Sequence, residues 1–326
     1  MTWRQDRATA GGLALFLAAV ALLIYFTAVQ AHGLSLSVQD RCLGGHSFIP
    51  QCGSVFSPMR GAKLAPLLVP MSIGVFLGAP LLAREYSTGT ARFAWTQGTG
   101  RTRLVVARLT LLGVAALAVG AGLGKLAQWS LAPSVKDFPI GLFNGWQGVP
   151  FNATPSIMAG GALLGLAIGV LAGAATRRVV PAMAATAAVV TAVFALGYSL
   201  HDRLLSLGTR TMRYSPGGVQ PAGRAAPDGL FALHQVTGRG SAGAPGSWLN
   251  QGWYTGPDGH RMAGGQVAQL MHLSLRQLTA RHVSFWISYQ PGGRYLLFQS
   301  AQGGAELLVA ILLGLLAVWL VRRRRA

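Results

Sequence analysis

Residues 156–200 read SIMAGGALLGLAIGVLAGAATRRVVPAMAATAAVVTAVFALGYSL, two apolar runs parted only by Thr176, Arg177 and Arg178. Runs 156–175 and 179–200 each approach the ~20 residues that a helix needs to cross ~30 Å of hydrocarbon, at about 1.5 Å per residue. So short a link forces the two helices into an antiparallel hairpin. Pro181 falls in the first turn of the second helix, where its missing N–H costs little. In the first helix Gly161, Gly165, Gly169 and Gly173 recur every four residues and share one face. Such a face lets helix backbones approach closely where no hydrophobic force drives association. Its expected role is tight packing, within the chain or across a dimer; a substrate path along the same face is the other use.

Four more apolar runs lie outward of this hairpin, at 11–29, 64–83, about 104–124 and about 303–321. Arg108 sits one turn inside the third span, where it can snorkel to an interface. The chain is 52% apolar and only 11% charged, against about 25% charged in soluble domains. That balance argues against one large soluble core. The first run follows Arg4 and Arg7 but is longer than the core of a cleaved leader, so it reads as a retained helix. Before it, MTWRQDR is either an amphipathic lead-in along the membrane surface or an unstructured basic start.

The formal net charge is +19, which invites a nucleic-acid reading. Placement of the charge decides otherwise. With the N-terminus in the cytoplasm, the inside carries Arg4, Arg7, the 84–103 connection, Arg177, Arg178 and the run Arg322 to Arg325. The short outside loops hold only Arg41, Arg60, Lys63, Lys125 and Lys136. This is the positive-inside pattern of a multi-pass protein with both termini cytoplasmic, and no nucleic-acid partner is expected. Cys42 and Cys52 then share the first outside loop. An oxidising exterior favours a disulfide, which would contribute roughly 3 kcal/mol by closing so short a loop; two free thiols are the alternative.

The expected fold is therefore an all-α polytopic membrane protein, with six transmembrane helices and a small α+β external region between the fifth and sixth. Residues 1–200 form the five-helix membrane part with a cytoplasmic segment at 84–103, 201–304 the external region, and 305–326 the sixth helix and basic tail. Within the external region SPGGVQPAGRAAPDG and GRGSAGAPGS have linker composition. Val267, Leu270, Met271, Leu275 and Leu278 follow a helical spacing. Val283, Phe285, Ile287 and Tyr289 alternate as in a half-buried strand, ended by a Pro-Gly-Gly turn.

Enzyme signatures are missing from the sequence. There is no His-Glu-x-x-His motif, Gly-x-Ser-x-Gly elbow or Cys-x-x-Cys pair, and the histidines and acids are scattered. GAGLGKL, ending at Leu126, lacks the first glycine and the Ser/Thr of a phosphate loop. No cofactor and no metal site are expected. Apart from Arg108 and two residues read as lying at span edges, Glu85 and Glu306, the spans carry no ionisable group. That argues against an ion-driven carrier.

The connection GAPLLAREYSTGTARFAWTQGTGRTRLVVARL resembles the cytoplasmic segment after the second helix of ABC-2 type transporter permeases, particularly actinobacterial ones. The matching residues are Gly78 and Pro80, Glu85, Gly89 and Thr90, Trp95 with Thr96 and Gln97, then Arg101 and Arg103. MTWRQDR, TRRVVPAMAAT from Thr176 and YQPGGRYLLFQ from Tyr289 also resemble family segments. PGGRYLLFQ is looser than the usual form, and the Gly-rich 215–265 region has no counterpart. The resemblance implies the permease half of an ATP-driven exporter in the bacterial inner membrane, paired with a second permease half and two ATP-binding subunits. It also implies that Glu85, Gly89, Thr90, Trp95, Thr96, Gln97 and Arg101 couple the ATPase to the spans. Cargo would be an amphipathic small molecule, peptide or lipid-linked compound. The competing expectation is a polytopic sensor or scaffold that binds a ligand through 201–304.

Overall fold

The computed structural model describes residues 2–33, 52–87, 101–136, 148–214, 248–270, 273 and 275–323. Helix α1 runs Thr2–His32, and α2 (Cys52–Ile73) continues through a π turn, Gly74–Gly78, into α3 (Ala79–Ser87). Then come α4 (Arg101–Lys136), a short α5 (Gly148–Asn152), α6 (Pro155–Thr176) and α7 (Val179–Leu205). Strands β1 (Arg210–Tyr214) and β2 (Trp248–Thr255), helices α8 (Gly264–Leu270) and α9 (Leu275–Ala280), and β3 (Ser284–Gln290) follow. The last helix is α10, Tyr295–Arg323.

Among the described residues, six segments are long and apolar enough to cross a membrane: Gly11–Gln30, Ala62–Arg84, Val106–Ala132, Pro155–Thr176, Val179–Leu205 and Gly292–Arg323. α6 is the hub. In its most apolar window 78% of residues are buried, against 17% for α1, α7 and α10. A helix apolar all round belongs in the middle of a bundle. α2, α3, α4, α7 and α10 all pack on it, and Met158, Leu166 and Val170 join Val69, Ile73 and Leu123 in the largest buried cluster. The outer helices leave Leu15, Leu22, Val180, Leu196, Leu308 and Leu315 exposed, the surface a bilayer covers.

The α6–α7 hairpin is closed by Arg177, whose φ of 56° is left-handed. Its N–H donates to the Gly173 carbonyl at 3.1 Å, capping α6 in the manner usually left to glycine. α10 begins at Tyr295, eight residues ahead of the expected 303–321 run. Leu296, Leu297 and Phe298 hold no helix breaker, so the helix starts as soon as the Pro-Gly-Gly turn ends.

The three strands form an antiparallel sheet in the order β1-β3-β2, with Trp253 opposite Trp286 and a bulge between Leu249 and Gln251. The helical spacing expected across 264–278 resolves into two short helices, α8 and α9. The sheet is clamped to the bundle by Gln290, whose Nε2 donates to the carbonyls of Leu205 at 2.9 Å and Leu207 at 2.6 Å. Arg294 adds a bond to the Gly208 carbonyl at 2.8 Å. Beneath them Phe151, Ile157 and Leu205 pack with Tyr295 and Phe298.

Candidate functional site

Two features stand out in the bundle. The first is a backbone interlock between α6 and the α2–π–α3 rod. A methyl added to Gly169 would meet the Ala79 nitrogen at 2.8 Å, and one on Gly173 the Ala79 carbonyl at 2.5 Å. From the other side, a methyl on Gly78 would lie 2.5 Å from the Leu166 carbonyl. Gly165 sits against the Pro70 carbonyl, while Gly161 faces Phe194 and Pro70 side chains. Packing this close admits no Cβ on either helix.

The π turn lies in the middle of this contact. In a regular α-helix Pro80 has no N–H for the Phe76 carbonyl and its ring crowds that turn. Here the Ala79 N–H reaches back five residues to Gly74, which widens the helix just ahead of the proline.

The rod leads to the expected coupling segment. Glu85 belongs to α3 and Arg101 opens α4, but their side chains lie outside the described residues, as do Gly89, Thr90, Trp95, Thr96 and Gln97. Both flanking helices, however, seat on α6. Leu82 and Ala83 are buried near the end of α3. Cys42 and the Cys52 side chain, like the 215–247 linker, also fall outside the described residues.

The second feature is a polar stripe at the sheet-bearing end of the bundle. Tyr295, Gln299, Gln302 and Glu306 lie on one side of α10, at helical spacing. Gln302 Nε2 donates to Asn152 Oδ1 at 2.9 Å and to Glu306 Oε1 at 3.3 Å. Glu306 Oε2 is buried and accepts no hydrogen bond. The carboxylate lies on Gly160, where an added methyl would stand 2.9 Å from Oε2. One turn earlier on α10, a methyl on Gly303 would meet the Ser156 carbonyl at 2.8 Å, so α10 also rides closely on α6. Glu306, read from the sequence as a span-edge residue, lies within the helical segment Gly292–Arg323 and faces α6. The i, i+3, i+7 spacing of Gln299, Gln302 and Glu306 is the signal in the sequence that marks it.

Outside the bundle, Trp253, Thr255, Pro257, His282, Ser284 and Trp286 line an open recess of about 620 Å³. Trp286 Nε1 donates to Thr255 Oγ1 at 3.2 Å, and the Arg261 guanidinium stands 5.4 Å above the Trp253 ring. Elsewhere on β2, burial pushes the pKa of the Tyr254 hydroxyl up to about 12. Among the described residues no group of three or more His, Cys, Asp or Glu side chains is placed to hold a metal ion.

Compared with known families, residues 11–199 match the model described as ABC-2 membrane transporter related. No curated protein and no solved structure gave a significant match.

Proposed function

Since the chain belongs to the ABC-2 membrane transporter related family, we propose that it is the permease half of an ATP-driven exporter, coupled to its ATPase through residues 84–103. As a family member it is a multi-pass membrane transport component, and such permeases normally work with an ATP-binding subunit. The observation that supports the coupling is how the segment is tethered. α3 enters it from the backbone interlock and α4 leaves it along the same hub helix, so a push on the segment reaches the bundle core.

In this reading two ATP-binding subunits and a second permease half complete the transporter, and both termini lie in the cytoplasm. Glu85 accepts hydrogen bonds from Arg or backbone donors of the ATPase. Gly89 lets the chain turn, Thr90 caps a following short helix, and Trp95 is the apolar anchor. Thr96, Gln97 and Arg101 border it. Cargo is amphipathic and leaves the cell. The test is ATP hydrolysis by the partner reconstituted with the permease in proteoliposomes. With Glu85→Ala and Trp95→Ala combined, permease-stimulated hydrolysis is expected to fall at least tenfold while the permease melts as before. Unaltered stimulation contradicts the assignment.

The aromatic recess favours a second reading, a sensor or scaffold that holds a ligand on the 201–304 region. That reading predicts saturable quenching of tryptophan fluorescence by cell-envelope glycans on the purified full-length chain, without any ATPase.

A further inference from the structure

Cross-strand pairing sets Trp253 opposite Trp286 and Thr255 opposite Ser284, and Thr211 of β1 joins them on the same face of the sheet. That face floors the recess of about 620 Å³, inside the range of about 300–1,000 Å³ usual for small-ligand sites. Both indoles are half-buried. Trp286 is fixed by its bond to Thr255 Oγ1, and the Arg261 guanidinium covers one side of Trp253. Two indoles on one face make a flat apolar platform with polar edges, the kind of surface on which the C–H face of a sugar ring lies.

Polar groups border the platform. His282 ends α9 with a left-handed φ of 54°, and the Val283 N–H beyond it donates to the Leu278 carbonyl at 3.1 Å. That position usually belongs to glycine. A histidine there costs more than glycine would, and its imidazole lines the recess. Among the described residues the Thr211 and Ser284 hydroxyls and the His282 imidazole make no hydrogen bond, so a ligand's hydroxyls can take them.

The charge around the recess has one sign. No Asp or Glu lines it. Asp258, in the turn after β2, accepts from the His260 N–H at 3.2 Å. Arg261 is exposed and forms no ion pair among the described residues, which leaves its N–H fork open to an anion. Such a fork matches a carboxylate with two parallel hydrogen bonds.

We propose that the recess binds an acidic sugar, a uronic-acid residue of a glycan. Its ring lies on Trp253 and Trp286, its carboxylate on Arg261, and its hydroxyls on Thr211, Ser284 and His282. This names the ligand class of the second reading above and rests on that reading for the recess being a binding site.

The experiment compares trigalacturonate with the neutral maltotriose, each titrated onto the purified full-length chain in phosphatidylcholine nanodiscs and followed by tryptophan fluorescence. Trigalacturonate is expected to bind saturably and at least tenfold more tightly. A chain of net charge +19 attracts any polyanion, so Arg261→Ala is the decisive variant. It removes one of 27 basic residues, which hardly alters general attraction, yet it is expected to abolish the preference for the acidic sugar. Arg261→Lys should restore the preference in part, and Trp253→Ala should weaken both sugars. Equal affinity for the two sugars, or a preference that survives in Arg261→Ala, overturns the proposal and leaves the second reading standing. Saturable binding of neither sugar overturns both. With no ATPase present, none of these results bears on the coupling segment.

Discussion

Gly169 shows how a single hydrogen in place of a methyl holds this bundle together. Backbone atoms, not movable side-chain tips, surround the space a Cβ would take. Gly169→Ala is therefore expected to cost about 1–3 kcal/mol, as overpacked cores do, and to lower the melting point of the detergent-purified chain. Gly122→Ala, where nothing lies within 4 Å, should leave it unchanged. Tyr254 makes a prediction of the opposite, electrostatic kind. Its folded pKa of about 12 exceeds the ordinary 10, so the neutral phenol is favoured in the fold. The folded state holds its proton longer than the unfolded one, and stability falls as pH rises from about 10 towards 12. Tyr254→Phe should flatten that part of a pH–stability curve, read by the melting point of the sheet region. The four-residue glycine period was legible in the sequence. The burial of Glu306 was not, because it depends on α10 starting early and lying against Gly160, a partner far away in the chain.

Among the elements, the α6–α7 hairpin follows from its two-arginine link and from nothing more distant. Local signals of that strength fix an element wherever they occur. β3 is similarly readable from its alternation, and it becomes the centre of the sheet. β1 and β2 gave no such signal. Arg210–Tyr214 has two arginines in five residues, and only its pairing with β3, some seventy residues later, makes it a strand. The π turn was also hidden, since it records a compromise between Pro80 and the close approach of α6 rather than any sequence period. Gln290 is the joint between these layers. Gln290→Leu would leave the Leu205 and Leu207 carbonyls without their donor, at a cost of about 1–3 kcal/mol. Hydrogen exchange across residues 206–214 should accelerate while exchange in α6 stays slow. Equal acceleration in both would mean that sheet and bundle unfold as one unit.

For the whole molecule, composition and six apolar runs were enough to predict the membrane class, and the family match over residues 11–199 accords with it. What no span could reveal is the hierarchy among them, with α6 enclosed and five helices arranged around it. That hierarchy gives the coupling proposal its mechanical content: force applied at 84–103 is delivered to the one helix that touches most of the others. The measurement that tests this most directly is purification of the chain from its native membranes in mild detergent, with mass identification of whatever remains bound. The account predicts a stoichiometric ATP-binding subunit that is lost when Glu85 and Trp95 are both replaced by alanine. Recovery of the chain without an ATPase, or retention of the ATPase by the double variant, would contradict it.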